Sequence, residues 1–321
     1  MKNYFRNIIQ GLGVVLLILI LFEGCYRLYV IDFYKAELKG LNVGKLNRQE
    51  TFFLVFGDSF TASNQYVKYL ESKTNHKFIN AASSGIGIQE VNLFASKRIK
   101  EFQPQKIIYQ VYIGNDLLDV KNLTNFKNIS FLRNVYWYLS DYFISLLYVN
   151  KRLSVVKTQF SRNHLFDKKY AKEKYSNRSK LYFLADSLYL HKTVLLKDNF
   201  EERYSIWVKE VVKFIQKSGD VPVYIVLVPH CAQLNKKYIK RMQEIGGEFP
   251  NETSFTKIEY PFYEETVKKF RKYKNVTILN PLAYFKKRDS IEPLYYENDP
   301  HLNNLGQKVL GEFLEQKILK E

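Results

Sequence analysis

Short apolar runs that alternate with amphipathic stretches are the feature that most limits what this chain can fold into. The clearest run is FFLVF at Phe52 to Phe56, and it ends at Gly57. Similar runs recur along the chain, at residues 77–80, 106–113, 221–228 and 276–279. Runs of this length and apolarity are typical of strands that are buried on both faces of a parallel sheet. The pattern therefore predicts five parallel strands.

Amphipathic stretches separate these runs and predict helices, over residues 63–73, 88–102, 202–217, 261–273 and 302–319. Strands that alternate with helices predict an α/β domain with right-handed crossovers, here over residues 51–321. In such a domain, ligands bind at the carboxyl ends of the strands. Residues 118–200 do not follow this rhythm and predict a helical insertion. It would cap the site, lie against a membrane or form an ordinary helical subdomain.

The N-terminus carries an apolar segment. Lys2 and Arg6 precede an uncharged run from Asn7 to Phe22. A membrane-spanning helix needs roughly 20 mostly apolar residues, and flanking aromatic residues at the interfaces bring the segment to that length. We predict a membrane anchor within residues 1–30, followed by a linker at 31–50. A cleaved signal peptide is the alternative. By the positive-inside rule, the domain lies outside the cytoplasm, as in a bacterial envelope protein.

The formal net charge of +17 constrains the partners. The basic residues are scattered, and no nucleic-acid-binding motif is found, so a solvated basic surface is favoured over attraction to an anionic membrane. We expect no nucleic-acid partner.

Cys25 and Cys231 are the two cysteines, and Cys25 lies at the end of the apolar segment, so a disulfide between them is not expected. No metal-ligand spacing is found, and no cofactor is predicted.

Three polar motifs directly follow predicted strands. Gly57-Asp58-Ser59 places a serine on a tight turn before a helix, which suits a nucleophile but also an ordinary helix N-cap. The second motif contains Gly85, whose backbone could closely approach a ligand. The third contains Asn115, whose side-chain amide could stabilise an oxyanion. Each motif is also consistent with simple turn chemistry.

A fourth motif lies near the C-terminus, where His301 precedes an apolar helix. Asp299 lies two residues before it and could orient the imidazole. A histidine with a carboxylate partner is the general base that a serine nucleophile needs. A further histidine, His230, follows the fourth predicted strand, and it could either line the pocket or be structural.

Together these four motifs resemble the conserved blocks of the SGNH/GDSL hydrolase family, over about residues 51–116 and 290–315. The resemblance implies a three-layer, flavodoxin-like α/β/α fold. It implies Ser59 as nucleophile and His301 as general base. It also implies an oxyanion hole made of the Ser59 and Gly85 N–H groups and the Asn115 side chain. Asp58 and Asp116 belong to the motifs without being the catalytic acid.

The chain departs from the family pattern in the position of the catalytic acid. The usual position, three residues before the histidine, is Asn298 here, and the aspartate is Asp299. We assign Asp299 as the acid. A Ser–His dyad with a backbone carbonyl orienting His301 is the alternative.

The resemblance implies an esterase that acts through an acyl-enzyme, without a metal or organic cofactor. The expected substrate is an acylated glycan or lipid of the cell envelope. Two alternatives stay open. An O-acyltransferase would pass the acyl group to a sugar hydroxyl instead of water. A membrane-tethered binding or assembly protein would keep the fold without catalysis.

Overall fold

Five parallel strands form the sheet at the centre of the protein: β1 (Phe52–Phe56), β2 (Lys77–Asn80), β3 (Lys106–Tyr112), β4 (Val223–Val228) and β5 (Val276–Leu279). The spatial order is β2-β1-β3-β4-β5, and every neighbouring pair is parallel. This is the flavodoxin-like order, and it places the topological switch point between β1 and β3. The structure therefore confirms the predicted fold class.

The computed structural model describes residues 2–27, 51–84, 86–118, 120, 189–244, 249, 254–297 and 299–319. These residues fall into two compact units, one containing the N-terminal helix and the other the α/β domain. The predicted linker at 31–50 and most of the predicted insertion, 121–188, lie outside the described residues. Residues 189–195, within the predicted insertion, are helical.

Two strand boundaries differ from the prediction for local reasons. The fourth strand begins at Val223 instead of Val221, because Pro222 has no N–H to donate to a neighbouring strand. The Pro222 carbonyl still accepts a hydrogen bond from the Ile107 amide, at 2.8 Å. The third strand ends at Tyr112, one residue earlier than predicted, where the chain turns towards Gly114.

The helices are α1 (Lys2–Arg27), α2 (Ser59–Ala62), α3 (Gln65–Glu71), α4 (Ile88–Phe102), α5 (Phe200–Ser218), α6 (Cys231–Leu234), α7 (Lys236–Glu244), α8 (Pro261–Phe270), α9 (Leu282–Asp289) and α10 (Asn304–Leu314), with a π-helical turn at Glu315–Leu319. The helix predicted over residues 63–73 corresponds to α3, which begins at Gln65, and the short helix α2 before it was not predicted. Asn64 adopts a left-handed conformation, with φ of 62°, and lies between the two. The sequence patterns did not predict α6, α7 and α9.

The helices form two layers around the sheet. The crossovers from β1 to β2 and from β2 to β3 run in opposite directions along the sheet, so right-handed connections place α3 and α4 on opposite faces. On one face α4 packs against α5, and Trp207 of α5 contacts the ring of Phe262 in α8. On the other face α3 packs against α10. Every residue of β1 and β4 is buried, as expected for a middle layer.

The N-terminal helix α1 contains a 22-residue apolar stretch, Tyr4–Cys25, with a mean hydropathy of 2.4. By length and composition this helix can cross a membrane, and a signal sequence has the same properties. Its large apolar side chains, such as Leu12 and Leu21, are exposed. Cys25 in this helix and Cys231 in the α/β domain are both free cysteines.

Candidate active site

The turn after β1 presents Ser59 at the carboxyl edge of the sheet, as the first residue of α2. Asp58 caps this helix, because its side chain accepts a hydrogen bond from the Phe60 amide at 2.9 Å. Its backbone carbonyl accepts a further bond from the Ala62 amide. Asp58 is buried, at 3% exposure. Its carboxylate therefore shapes the turn.

His301 lies within hydrogen-bond reach of this serine, although 242 residues separate them in the chain. Ser59 Oγ and His301 Nε2 are 2.7 Å apart. His301 Nδ1 contacts Asp299 Oδ1 on its other side. A carboxylate only accepts hydrogen bonds, so this arrangement places the imidazole proton on Nδ1 and leaves Nε2 to accept from the serine. Three of the predicted residues thus form one hydrogen-bonded series.

The position of Asp299, two residues before the histidine, is explained by a tight local turn. The same carboxylate oxygen, Oδ1, also accepts the backbone N–H of His301, at 2.8 Å. Aspartate side chains commonly bond the backbone two residues on, and this turns the chain back on itself. The carboxylate of Asp299 therefore faces the imidazole of His301 without the usual three-residue spacing. Asn298, which occupies that spacing, lies outside the described residues.

Backbone hydrogen bonds close the neck of the loop that carries Asp299 and His301. Tyr295 and Leu302 form an antiparallel bridge. The Tyr296 amide donates to the His301 carbonyl at 3.1 Å. Asn303 continues the closure: its amide donates to the Leu294 carbonyl at 2.9 Å, and its side chain caps α10. The acid and the base therefore lie on one short, closed tip.

A buried polar cluster anchors this loop to the rest of the domain. Asp289 accepts hydrogen bonds from the Tyr238 hydroxyl at 2.6 Å and from the Leu294 amide at 3.0 Å. Lys237 forms an ion pair with the same carboxylate at 2.9 Å. The hydroxyl of Tyr295 donates to the carbonyl of Pro229 at the end of β4. Burial raises the pKa of Tyr295 well above its ordinary value, so it remains a donor.

Aromatic packing also restrains the imidazole. The ring centroids of Phe60 and His301 are 4.9 Å apart, with 31° between the planes. Phe60 in turn packs against Tyr112, at 4.2 Å between centroids. Phe60 is 1% exposed, so the residue after the serine packs a buried ring against the imidazole of His301.

Of the two other predicted oxyanion donors, Asn115 lies among the described residues and Gly85 does not. Asn115 follows β3 at the same edge of the sheet, and its Oδ1 is buried without a hydrogen-bond partner in the described part of the chain. Gly85 lies outside the described residues. The segment before it runs beside the serine turn, because the Ser83 amide donates to the Gly57 carbonyl at 3.3 Å. Asp116 has a structural contact, since its Oδ2 accepts from the Tyr112 amide at 3.0 Å.

His230 has a structural role at the end of β4. It is fully buried, and its Nδ1 accepts a hydrogen bond from the Ala232 amide at 3.1 Å, which caps α6. Of the two roles that the sequence left open for this histidine, the contacts therefore support helix capping.

Sequence reasoning missed two residues that contact the serine turn, Gln110 and Gln307. Gln110 Oε1 accepts from the Asp58 amide, and Gln307 Nε2 donates to the Phe60 carbonyl. For Gln110 a signal was available, because it is the one polar residue inside the apolar stretch that forms β3. For Gln307 no local pattern distinguishes its contact with a turn 247 residues away.

Comparison with known proteins gives structural neighbours only. No family model and no curated protein matches the chain. A lipase/acylhydrolase from Enterococcus faecalis is 11% identical, with 84% of this chain and 95% of that chain covered and a TM-score of 0.42. A catalytic mutant of an acetylxylan esterase from Geobacillus stearothermophilus is 12% identical, covering 86% and 96%, with a TM-score of 0.42. TesA is 10% identical, covering 84% and 98%, with a TM-score of 0.40.

The strand order and the helices on both faces make this an α/β/α protein of the flavodoxin-like type. This is the fold that the resemblance to SGNH/GDSL hydrolases implies. At the carboxyl edge of its sheet, the chain joins a serine, a histidine and an aspartate by hydrogen bonds.

Proposed function

We propose that this chain is a serine esterase of the SGNH/GDSL type. The single observation that carries the proposal is the hydrogen-bonded series of Ser59, His301 and Asp299 at the carboxyl edge of the sheet. This is the arrangement of nucleophile, base and orienting acid that acyl transfer requires. Unrelated folds use the same arrangement, so the proposal rests on the geometry of the site.

In the proposed reaction, Ser59 Oγ attacks the ester carbonyl carbon while His301 Nε2 takes the hydroxyl proton. Asp299 stabilises the resulting imidazolium. The tetrahedral intermediate then breaks its bond to the alcohol oxygen, and His301 returns the proton to the leaving alcohol. Water attacks the acyl-enzyme in the same way, with His301 again as base, and this releases the carboxylic acid and restores Ser59.

The oxyanion of each intermediate needs hydrogen-bond donors at the site. We assign this role to the backbone N–H groups of Ser59 and Gly85 and to the side-chain amide of Asn115. The position of Asn115 supports the assignment, because this half-buried residue follows β3 at the carboxyl edge of the sheet, the edge that also presents Ser59.

We further propose that α1 anchors the protein in a membrane, with Lys2 and Arg6 on the cytoplasmic side and the α/β domain outside. The apolar stretch of α1 supports this placement. The substrate would then be an acylated glycan or lipid of the cell envelope, and its acyl group would pass to water.

A fluorophosphonate probe tests the proposal without knowledge of the substrate. This reagent modifies activated serine hydroxyls, so the full-length protein should be labelled, and peptide mapping should place the label on Ser59. Heat-unfolded protein is the control and should remain unlabelled. Absence of labelling, or a label on another serine, would contradict the assignment of Ser59 as nucleophile.

Asp299→Asn is expected to lower kcat on a chromogenic acetyl ester by about 10⁴-fold, because the amide can donate to Nδ1 and would favour the wrong imidazole tautomer. KM should change little. Asp198→Asn, at an exposed aspartate paired with Lys192, is the matched control and should keep full activity. If Asp299→Asn is as active as the wild type, the dyad with a backbone carbonyl is the better description.

Asn115→Ala is expected to lower kcat by roughly 10²- to 10³-fold, the usual effect of removing one oxyanion donor. The loss should appear in kcat instead of KM, since the bond forms in the transition state. Asn275→Ala serves as control, because Asn275 bonds carbonyl groups at the opposite, amino edge of the sheet. If Asn115→Ala has the same kcat as the wild type, Asn115 is not an oxyanion donor.

A further inference from the structure

Two buried glutamines, one on β3 and one on α10, form hydrogen bonds with the serine turn. Gln110, on β3, accepts hydrogen bonds at Oε1 from the Asp58 amide at 3.2 Å and from the Thr61 hydroxyl at 2.9 Å. Gln307, on α10, donates from Nε2 to the Phe60 carbonyl at 2.9 Å. We call Gln110 and Gln307 the glutamine clamp.

The hydrogen-bond partners fix the orientation of both side-chain amides. The Asp58 N–H can only donate, so Gln110 must present its oxygen to the turn. The Phe60 carbonyl can only accept, so Gln307 must present its nitrogen. The Tyr66 hydroxyl lies 2.8 Å from Thr61 Oγ1, and burial raises the Tyr66 pKa well above its ordinary value. Because Gln110 Oε1 can only accept, the Thr61 hydroxyl donates its one proton to it, and the protonated Tyr66 hydroxyl donates to Thr61 Oγ1.

The clamp is costly for the core, which indicates that packing alone does not explain it. Gln110 is 1% exposed and Gln307 is 2% exposed. The other end of each amide, Gln110 Nε2 and Gln307 Oε1, is buried without a hydrogen-bond partner among the residues that the structure describes. A buried unsatisfied polar atom destabilises a protein by about 1–3 kcal/mol. An apolar side chain of similar size would avoid this cost.

The clamp also explains the glycine before the serine motif. A Cβ at Gly57 would lie 2.6 Å from Gln110 Oε1 and 2.5 Å from Thr61 Oγ1. Both distances are well inside van der Waals contact. Only a residue without a side chain lets Gln110 reach the turn, so the glycine and the glutamine belong to one arrangement.

Each glutamine joins Ser59 to a different part of the site. Gln110 lies on the strand that leads to Asn115, and it bonds the residue before the serine. Gln307 lies on the helix that follows His301, and it bonds the residue after the serine. The residues on both sides of Ser59 are therefore held by glutamines whose elements adjoin Asn115 and His301 in the chain.

We propose that Gln110 and Gln307 are positioning residues that fix Ser59 Oγ relative to His301 and Asn115. The proposal rests on the esterase function proposed above. In the part of the chain that the structure describes, the hydrogen bonds of the clamp go to Asp58, Thr61 and Phe60, so its effect is on the alignment of the nucleophile. A misplacement of about 1 Å can lower the rate of a reaction on the order of 10²-fold.

The first test replaces each glutamine with methionine, which has a similar length but no polar amide. Gln110→Met and Gln307→Met should each lower kcat on a soluble acetyl ester by about 10- to 100-fold, with KM within about twofold of the wild-type value. Gln233→Met is the matched control. Gln233 is as deeply buried, but among the described residues its side chain bonds the His230 amide and the Phe255 carbonyl instead of the serine turn, so this variant should keep its kcat.

The second test uses one substitution with different expected results at the two positions. In Gln110→Glu, a carboxyl oxygen still accepts from Asp58 and Thr61 in either protonation state, so this variant should be more active than Gln110→Met. In Gln307→Glu, only the protonated carboxyl can donate to the Phe60 carbonyl, because the ionised carboxylate has no proton. The ratio of its kcat to that of Gln307→Met should therefore fall towards one as the pH rises, whereas the corresponding ratio for Gln110→Glu should stay above one.

Hydrogen–deuterium exchange of the full-length protein provides a readout that does not need activity. Both methionine variants should exchange faster at the amides of residues 58–62, and Gln233→Met should not. Unchanged exchange and unchanged kcat would overturn the clamp, and so would equal kcat losses in all three methionine variants. Faster exchange in a protein without serine-dependent turnover would overturn the esterase function and the positioning role that rests on it, while retaining the clamp as a structural element.

Discussion

Replacing Ser59 by alanine should lower kcat on a chromogenic acetyl ester by roughly 10⁴- to 10⁶-fold, the range found when an acyl-transfer nucleophile is removed. No covalent acyl-enzyme can form without the hydroxyl, and water alone must then react in the remaining site. The fold should be unaffected, because among the described residues Ser59 Oγ has one hydrogen bond, to His301 Nε2, and the cap of α2 comes from Asp58.

The measurement is initial-rate kinetics of purified full-length protein, with the melting temperature recorded for each variant. Ser72→Ala is the matched control, because Ser72 is an exposed serine whose hydroxyl bonds the Tyr69 carbonyl. It should retain wild-type kcat. An active Ser59→Ala variant would end the nucleophile assignment, whatever the other residues do.

His301→Gln should cause a loss of the same order, about 10⁴- to 10⁶-fold in kcat, because glutamine cannot take the serine proton. The labelling of Ser59 by the fluorophosphonate should slow in parallel, since the hydroxyl is no longer activated. The control is His76→Gln. His76 contacts Thr51 and stacks on Phe53, and it lies just before β2, at the amino edge of the sheet.

The double variant gives the sharper result. If Ser59 and His301 act as one unit, Ser59→Ala/His301→Gln should be no less active than the worse of the two single variants. Additive losses would mean that the two residues contribute independently, and the 2.7 Å contact between them would then have no catalytic meaning.

The sheet was predictable because its signal is local. Buried strands such as β1 consist of consecutive apolar residues, and β1, β2 and β5 have the bounds predicted from these runs. The errors come from single residues with special backbone chemistry. Pro222 moves the start of β4 to Val223, and the left-handed Asn64 moves the start of α3 to Gln65. Each of these effects depends on one residue, so the pattern of apolar residues along the chain does not predict it.

The candidate site was predictable only as a set of residue types. The motifs identified Ser59 and His301, because a nucleophile and its base follow strands or precede helices in recognisable strings. The geometry of Asp299 was not predictable, because it depends on a turn in which one oxygen bonds both the amide and the ring of His301. Gln307 was not predictable either, because its partner comes from the other end of the chain.

The bridge between Tyr295 and Leu302 encloses Asp299 and His301, so the acid and the base are brought together within one local segment. Ser59 reaches this pair from 242 residues away, through the contact of its Oγ with His301 Nε2 and the packing of Phe60 on the imidazole. A local turn therefore sets the tautomer of the imidazole, whereas the approach of the serine depends on the tertiary packing of the whole domain.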